Sequence, residues 1–258
     1  MNTPDGPIDA LLGLPSGEGP WPGVVIIHDA IGYTPDNEAI SERVAAAGYL
    51  ALTPNLYARG GRARCITRVM RELLTQRGRA LDDVLAARDH LRAHPQCTGA
   101  VGIAGFCMGG QFALVLGPKG FGAAAPFYGT PLPKRLDQTL DASCPVVASF
   151  GRRDPLGIGA AGRLQRVVDA KNIPADIKVY PDAGHSFANQ LPGQSFGMFL
   201  ASTTPRTSRP TSRSTPMPDT ASPTSCPGSR FCGSPASATT RPPPPMPGHA
   251  CSRSSAST

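Results

Sequence analysis

The sequence predicts an α/β fold built on a mostly parallel, doubly wound sheet, and three observations carry that prediction. The chain has 258 residues, enough for one large core without disulfide staples. Short apolar runs rich in β-branched residues recur between residues 20 and 180, continuous rather than alternating, as strands buried on both faces are. Stretches with helical spacing of apolar residues separate these runs, and that alternation implies right-handed βαβ units.

The elements follow in order. Val24 to Ile27 reads as a strand that ends at His28-Asp29. From Asp36 to Ala47, Ile40, Val44 and Ala47 fall at i, i+4 and i+7, a helix stopped by Gly48. Tyr49 to Thr53 is the next strand, closed by Pro54. Val69 to Leu91 is rich in helix formers and interrupted near Gly78. Ala100 to Ala104 is a strand, Met108 to Leu116 a helix, and Gly122 to Tyr128 and Pro145 to Phe150 are strands. A helix over Gly159 to Lys171 and a strand over Ala175 to Tyr180 complete the pattern. In such sheets binding sites form outside the carboxyl ends of the strands.

The charge is unevenly distributed. Lys and Arg number 25 against 18 Asp and Glu, a net +7, yet residues 191–258 hold six arginines and one aspartate and the preceding chain is almost neutral. That body has no feature that asks for nucleic acid or a membrane surface. From Ala201 to Thr258 there is no Leu, Ile or Val and one aromatic, Phe231. Such a composition cannot bury enough apolar surface to offset the entropy of ordering it. We therefore expect a folded domain over residues 1–195 and a disordered Pro/Ser/Thr/Arg-rich tail over 196–258, whose composition resembles another reading frame of a GC-rich coding sequence.

The seven cysteines show neither a C-x-x-C pair nor an even framework. Cys226, Cys232, His249 and Cys251 could supply metal ligands but lack metal-site spacing, and no metal is expected. Neither a basic segment followed by an apolar one at the N-terminus nor an apolar run of membrane-spanning length is present, so the expected compartment is the cytoplasm, with reduced thiols.

The most specific motif is Gly105-Phe106-Cys107-Met108-Gly109-Gly110, set between a strand and a helix with the spacing of a G-x-S-x-G nucleophile elbow and Cys in place of Ser. Small residues are needed there because the strand-to-helix turn is tight. Cys107 would project just before the positive end of a helix, where a thiolate is favoured. Asp154 and His185 each follow a strand, and the chain order nucleophile, acid, histidine is that of α/β-hydrolase triads. His185 would take the thiol proton and Asp154 would fix its tautomer. The backbone N–H groups of Met108 and Ala30 are the expected oxyanion hole. His28, at a strand end, reads as a structural histidine.

These residues resemble the dienelactone hydrolase family, cysteine-dependent α/β-hydrolases. The resemblance covers residues 8–194 and rests on His28-Asp29-Ala30-Ile31-Gly32, Ala47-Gly48-Tyr49, Pro54 to Arg59, the cysteine elbow, and Gly184-His185-Ser186-Phe187-Ala188. It implies hydrolysis of a lactone or small ester through a thioester on Cys107, without metal or organic cofactor, and a small-molecule partner rather than nucleic acid or membrane. Asp29 stands where the family commonly has a Glu that assists thiolate formation. Asn189 stands where an Arg often binds the substrate's carboxylate, and an amide cannot make that bidentate pair. Tyr57, Arg59, Phe106, Tyr128 and Asn189 are the expected pocket lining. A competing reading is a non-catalytic hydrolase-fold scaffold whose basic tail mediates binding.

Overall fold

The computed structural model describes residues 1–189, so the expected tail, with Cys226, Cys232, His249 and Cys251, lies outside the described residues. Seven strands form one sheet: β1 (Ala10–Gly13), β2 (Trp21–Ile27), β3 (Leu50–Pro54), β4 (Cys97–Phe106), β5 (Ala124–Phe127), β6 (Val146–Gly151) and β7 (Ala175–Tyr180). Their spatial order is β1-β3-β2-β4-β5-β6-β7, and every pairing is parallel except the edge pair β1–β3. Six helices accompany them: α1 (Pro35–Ala46), α2 (Gly61–Thr75), α3 (Arg79–Arg92), α4 (Met108–Leu116), α5 (Leu136–Thr139) and α6 (Ala160–Ala170).

The alternation of side chains along each strand explains the layers. Val25, Ile27, Val101 and Ile103 point to one face and pack with Val69 of α2, Val84 and Leu91 of α3 and Phe112 of α4. On the same face, Val146, Ala148 and Phe150 meet Leu114 of α4 and Leu164 and Val168 of α6. Ile26, Ala51 and Phe106 point the other way, toward Ile40 of α1. On that face Val24, Ala104 and Ala125 line an apolar groove beside α1. Among the described residues, no helix is long and apolar enough to cross a membrane.

Apart from shifts of a few residues at strand ends, the observed elements differ from the expected ones in four places. β1 is four half-buried residues, too short to show a pattern, and owes its strand geometry to pairing with β3. α2 begins at Gly61 instead of Val69, and its buried residues Cys65, Val69 and Leu73 keep i, i+4, i+8 spacing through an arginine-rich exposed face. The interruption near Gly78 is a complete break: α2 ends at Thr75 and α3 starts at Arg79. The single turn α5 was not anticipated, because four residues carry no periodicity.

Parallel pairing has one consequence that governs the rest. The loops leaving β2, β4, β5, β6 and β7 all emerge at the same edge of the sheet, so His28, Asp29, Cys107, Tyr128, Asp154 and His185 are gathered there although 157 positions separate the first from the last.

Candidate active site

Cys107 occupies the junction of β4 and α4 with φ +53° and ψ −113°, a conformation that L-residues rarely adopt and that the surrounding backbone must hold. Its N–H donates to the Phe127 carbonyl at 3.0 Å, and its carbonyl accepts from the Gly110 N–H at 3.0 Å. Glycine is obligatory around it. A Cβ at Gly105 would lie 1.9 Å from the Gly109 carbonyl oxygen, and one at Gly109 would lie 2.2 Å from the Ile27 carbonyl oxygen. The elbow is therefore jammed against the end of β2, which is what brings the Ala30 loop within reach of the sulfur.

The thiol is buried, with 7% of the residue exposed. Burial first, and then the nearby Asp29 carboxylate, push it up to about 11 from an ordinary 9.0. The Met108 and Ala30 N–H groups face the sulfur and act in the opposite direction, favouring the thiolate. The two groups expected to form an oxyanion hole thus converge on the Cys107 sulfur. Tyr57 fixes one of them: its hydroxyl donates to the Ala30 carbonyl at 3.3 Å and approaches the Met108 sulfur at 3.7 Å.

Asp154, 1% exposed, and His185 meet across the ends of β6 and β7, with His185 Nδ1 at 2.8 Å from Asp154 Oδ2. The remaining capacity of the carboxylate is also used. Oδ1 accepts from the Leu156 N–H at 2.9 Å, and Oδ2 accepts from the Thr130 hydroxyl at 3.4 Å. The two loops are stitched together by backbone bonds from the Arg152 N–H to the Tyr180 carbonyl and from the Arg153 N–H to the Ala183 carbonyl, both at 2.9 Å. Gly151 permits the contact, since a Cβ there would stand 2.5 Å from the Ala183 oxygen. The Tyr128 ring packs edge-on against His185 at 5.2 Å and against Phe187 at 5.1 Å.

Asp29 accepts from the Ile31 N–H at 2.8 Å and from the Asn189 amide at 3.4 Å, while the Asn189 oxygen accepts from the Tyr128 hydroxyl at 3.1 Å. A polar chain Tyr128–Asn189–Asp29 therefore closes one side of the site. Burial raises the Asp29 carboxyl above the ordinary carboxylate range. As a charge, Asp29 opposes ionisation of Cys107 rather than promoting it.

One expected lining residue, Arg59, is committed elsewhere. The Arg59 guanidinium makes a bidentate pair with buried Asp83, at 2.7 and 3.1 Å, and also donates to the Thr3 hydroxyl and the Gly6 carbonyl. It pins the N-terminal loop to α3 and so is a structural arginine, because its fork is already committed. Phe106 stacks on Phe127, with centroids 4.8 Å apart and planes 18° apart, and its ring lies 6.1 Å from that of Tyr128 in a cluster that includes Cys107. His28 is fully buried. Its Nδ1–H donates to the Asp29 carbonyl at 2.8 Å and its Nε2 accepts from the Leu56 N–H at 3.2 Å, and desolvation lowers its pKa to about 4. Thr130 and Phe187 were missed as site residues. Phe187 stood within the G-H-S-F run, whereas Thr130 had no signal at all. Among the described residues no cluster of three or more His, Cys, Asp or Glu side chains could hold a metal ion.

Known proteins share this arrangement of chain and fold. The dienelactone hydrolase family profile matches residues 8–203. A carboxymethylenebutenolidase of Pseudomonas putida is 29% identical over 189 residues, covering 69% of this chain and 80% of that one. A carboxymethylenebutenolidase of Rhodococcus opacus is 28% identical over 177 residues, covering 64% and 69%. The solved structure called m3DLH superposes with a TM-score of 0.61 at 25% identity, covering 73% of this chain and 82% of its own. An α/β-hydrolase sheet with a cysteine elbow, matched by the family profile over three quarters of its length, places this chain in the dienelactone hydrolase family, hydrolases of lactones and esters.

Proposed function

We propose that the chain hydrolyses a lactone or small carboxylic ester through a thioester on Cys107, with His185 as the proton carrier and Asp154 as its anchor. The observation that carries this reading is the convergence on Cys107 of the Met108 and Ala30 N–H groups, with the His185–Asp154 pair at the same sheet edge.

The chemistry follows from the residues. With its thiol held near 11, Cys107 rests protonated at neutral pH, and a base is required. Rotation about the Cys107 Cα–Cβ bond turns the thiol toward His185, which takes its proton as the sulfur attacks the ester carbonyl carbon. The negative oxygen of the tetrahedral adduct replaces the sulfur between the Met108 and Ala30 N–H groups. The C–O bond then breaks, and His185 returns the proton to the leaving alkoxide, which in a lactone stays tethered to the acyl group. Water, deprotonated by His185, attacks the thioester; the C–S bond breaks, His185 returns that proton to the departing sulfur, and the carboxylic acid product gives its own proton to solvent. Asp154 stabilises the imidazolium in both halves and holds Nδ1 protonated.

Asp29 takes no proton in these steps; its charge beside the sulfur keeps Cys107 a thiol until His185 acts. With Asn189 beside Asp29 and Arg59 tied to Asp83, the site favours substrates whose acyl part is uncharged.

The experiment is hydrolysis of p-nitrophenyl acetate and of a panel of five- and six-membered lactones by the wild-type chain and by Cys107→Ala. Loss of turnover to background in a variant with unchanged circular dichroism is expected. Full activity in the alanine variant would overturn the reading.

A further inference from the structure

Away from Cys107, the C-terminal end of α2, one side of α4 and the segment 133–139 line a cavity of about 520 Å³, a size typical of small-molecule sites. Its inner polar group is Gln111, one helical turn beyond Cys107 on α4 and 6% exposed. The carboxamide lines the cavity, and no hydrogen bond joins it to another described residue. The amide opens onto the cavity, where it offers both a donor and an acceptor to whatever enters. Nothing in the triad uses this residue.

The opposite wall is built differently. Gln76 ends α2 in the left-handed conformation, φ +54°, and reaches across to donate to the Thr139 hydroxyl at 3.0 Å. That bond fixes the width of the cavity, since Thr139 is itself held by donating to the Arg135 carbonyl at 2.9 Å. Lys134 and Arg135 stand at the exposed rim, and no acidic side chain lines the cavity among the described residues. The apolar part of the lining is Val115, which is buried, and Leu74, which is 70% exposed and belongs to the rim. Exposed cations, apolar side chains and the buried Gln111 amide define three requirements.

We propose that this cavity is a second binding site, taking a short hydroxycarboxylate: carboxylate at Lys134 and Arg135, methylenes along Leu74 and Val115, and a terminal hydroxyl at Gln111. The guanidinium of Arg135 matches a carboxylate better than any neutral head. The Gln111 amide can both donate to and accept from a hydroxyl. Lactone opening yields molecules of this class, and the site takes them from any source.

The test titrates 6-hydroxyhexanoate, hexanoate and 1,6-hexanediol into the ¹⁵N-labelled full chain and follows side-chain amide resonances by nuclear magnetic resonance. 6-Hydroxyhexanoate is expected to shift the Gln111 and Gln76 amides saturably. The exposed-rim double variant Lys134→Ala/Arg135→Ala should raise its Kd at least tenfold while the spectrum stays native. Gln111→Leu should weaken 6-hydroxyhexanoate several-fold and leave hexanoate unchanged. Shifts confined to residues around Cys107 and His185, an unaltered Kd in the rim variant, or diol binding as tight as the hydroxycarboxylate would each overturn the proposal.

Discussion

The Cys107 thiol offers the sharpest test of the site's electrostatics. Held near 11 rather than 9.0, it carries a differential of about 3 kcal/mol against ionisation. At pH 8 the thiolate fraction is then about one in a thousand, against about one in ten for an unperturbed thiol. The deficit in reactivity is smaller than that ratio, because a more basic thiolate is a better nucleophile. A Brønsted slope of about 0.5 returns roughly tenfold of the hundredfold loss. Exchange with a small neutral disulfide, oxidised 2-mercaptoethanol, should therefore be about tenfold slower at Cys107 than at a free model thiol at pH 8, before any loss from restricted access. It should rise nearly tenfold per pH unit and level off only near 11. Peptide mass spectrometry separates Cys107 from Cys65, Cys97 and Cys144. Asp29→Asn removes the second-largest contribution and should move the plateau to lower pH. A plateau below pH 8 in the wild-type chain would refute this account and show a thiolate–imidazolium pair already formed at rest.

Other outcomes follow from the same geometry. Asp154→Asn keeps an oxygen for the Leu156 N–H but puts an NH2 group where Oδ2 accepted from Thr130 and His185, so control of the His185 tautomer is lost; ester turnover should fall by about 10³–10⁴-fold with an unchanged far-ultraviolet spectrum, and a loss below tenfold would contradict the assigned role. Gly109→Ala forces a Cβ to 2.2 Å from the Ile27 oxygen and should yield insoluble or unfolded chain, checked by expression and circular dichroism. His28 has a folded pKa near 4 against 6.5, so its contribution is present above about pH 6.5 and lost as pH falls through 4; the loss amounts to about 3 kcal/mol, and urea melts of wild type and His28→Gln should converge on acidification. Arg59→Met leaves the Asp83 carboxylate buried without its partner and should destabilise by about 3–5 kcal/mol while kcat of the folded fraction holds, whereas a selective rise in KM would restore a substrate-binding role for Arg59.

Much of this was legible in the chain itself. Continuous β-branched runs such as Val24-Val25-Ile26-Ile27 announce strands with two covered faces, and the glycines at 105, 109 and 110 announce a turn that no other residue fits. The order Cys107, Asp154, His185 was readable because each residue follows a strand, and parallel strands deliver their ends to one edge. Elements that exist only through their partners stayed hidden: β1 through its pairing with β3, and α5 through the packing of Leu136 and Leu140.

What the sequence determined by itself is local: where the backbone must turn, which residues alternate or recur, and which side chains carry chemistry. Only the tertiary structure decided how those side chains are occupied. Arg59 has the charge a substrate carboxylate wants, yet Asp83, 24 positions away, already holds its fork. Thr130 and Tyr57 support Asp154 and the Ala30 loop through bonds spanning 24 and 27 residues. Asp29, expected to assist thiolate formation, lies beside the thiol, and its charge raises the thiol pKa, an effect that burial magnifies by removing screening solvent. Distance, burial and competition for hydrogen bonds are properties of the assembled fold, and no spacing along the chain encodes them.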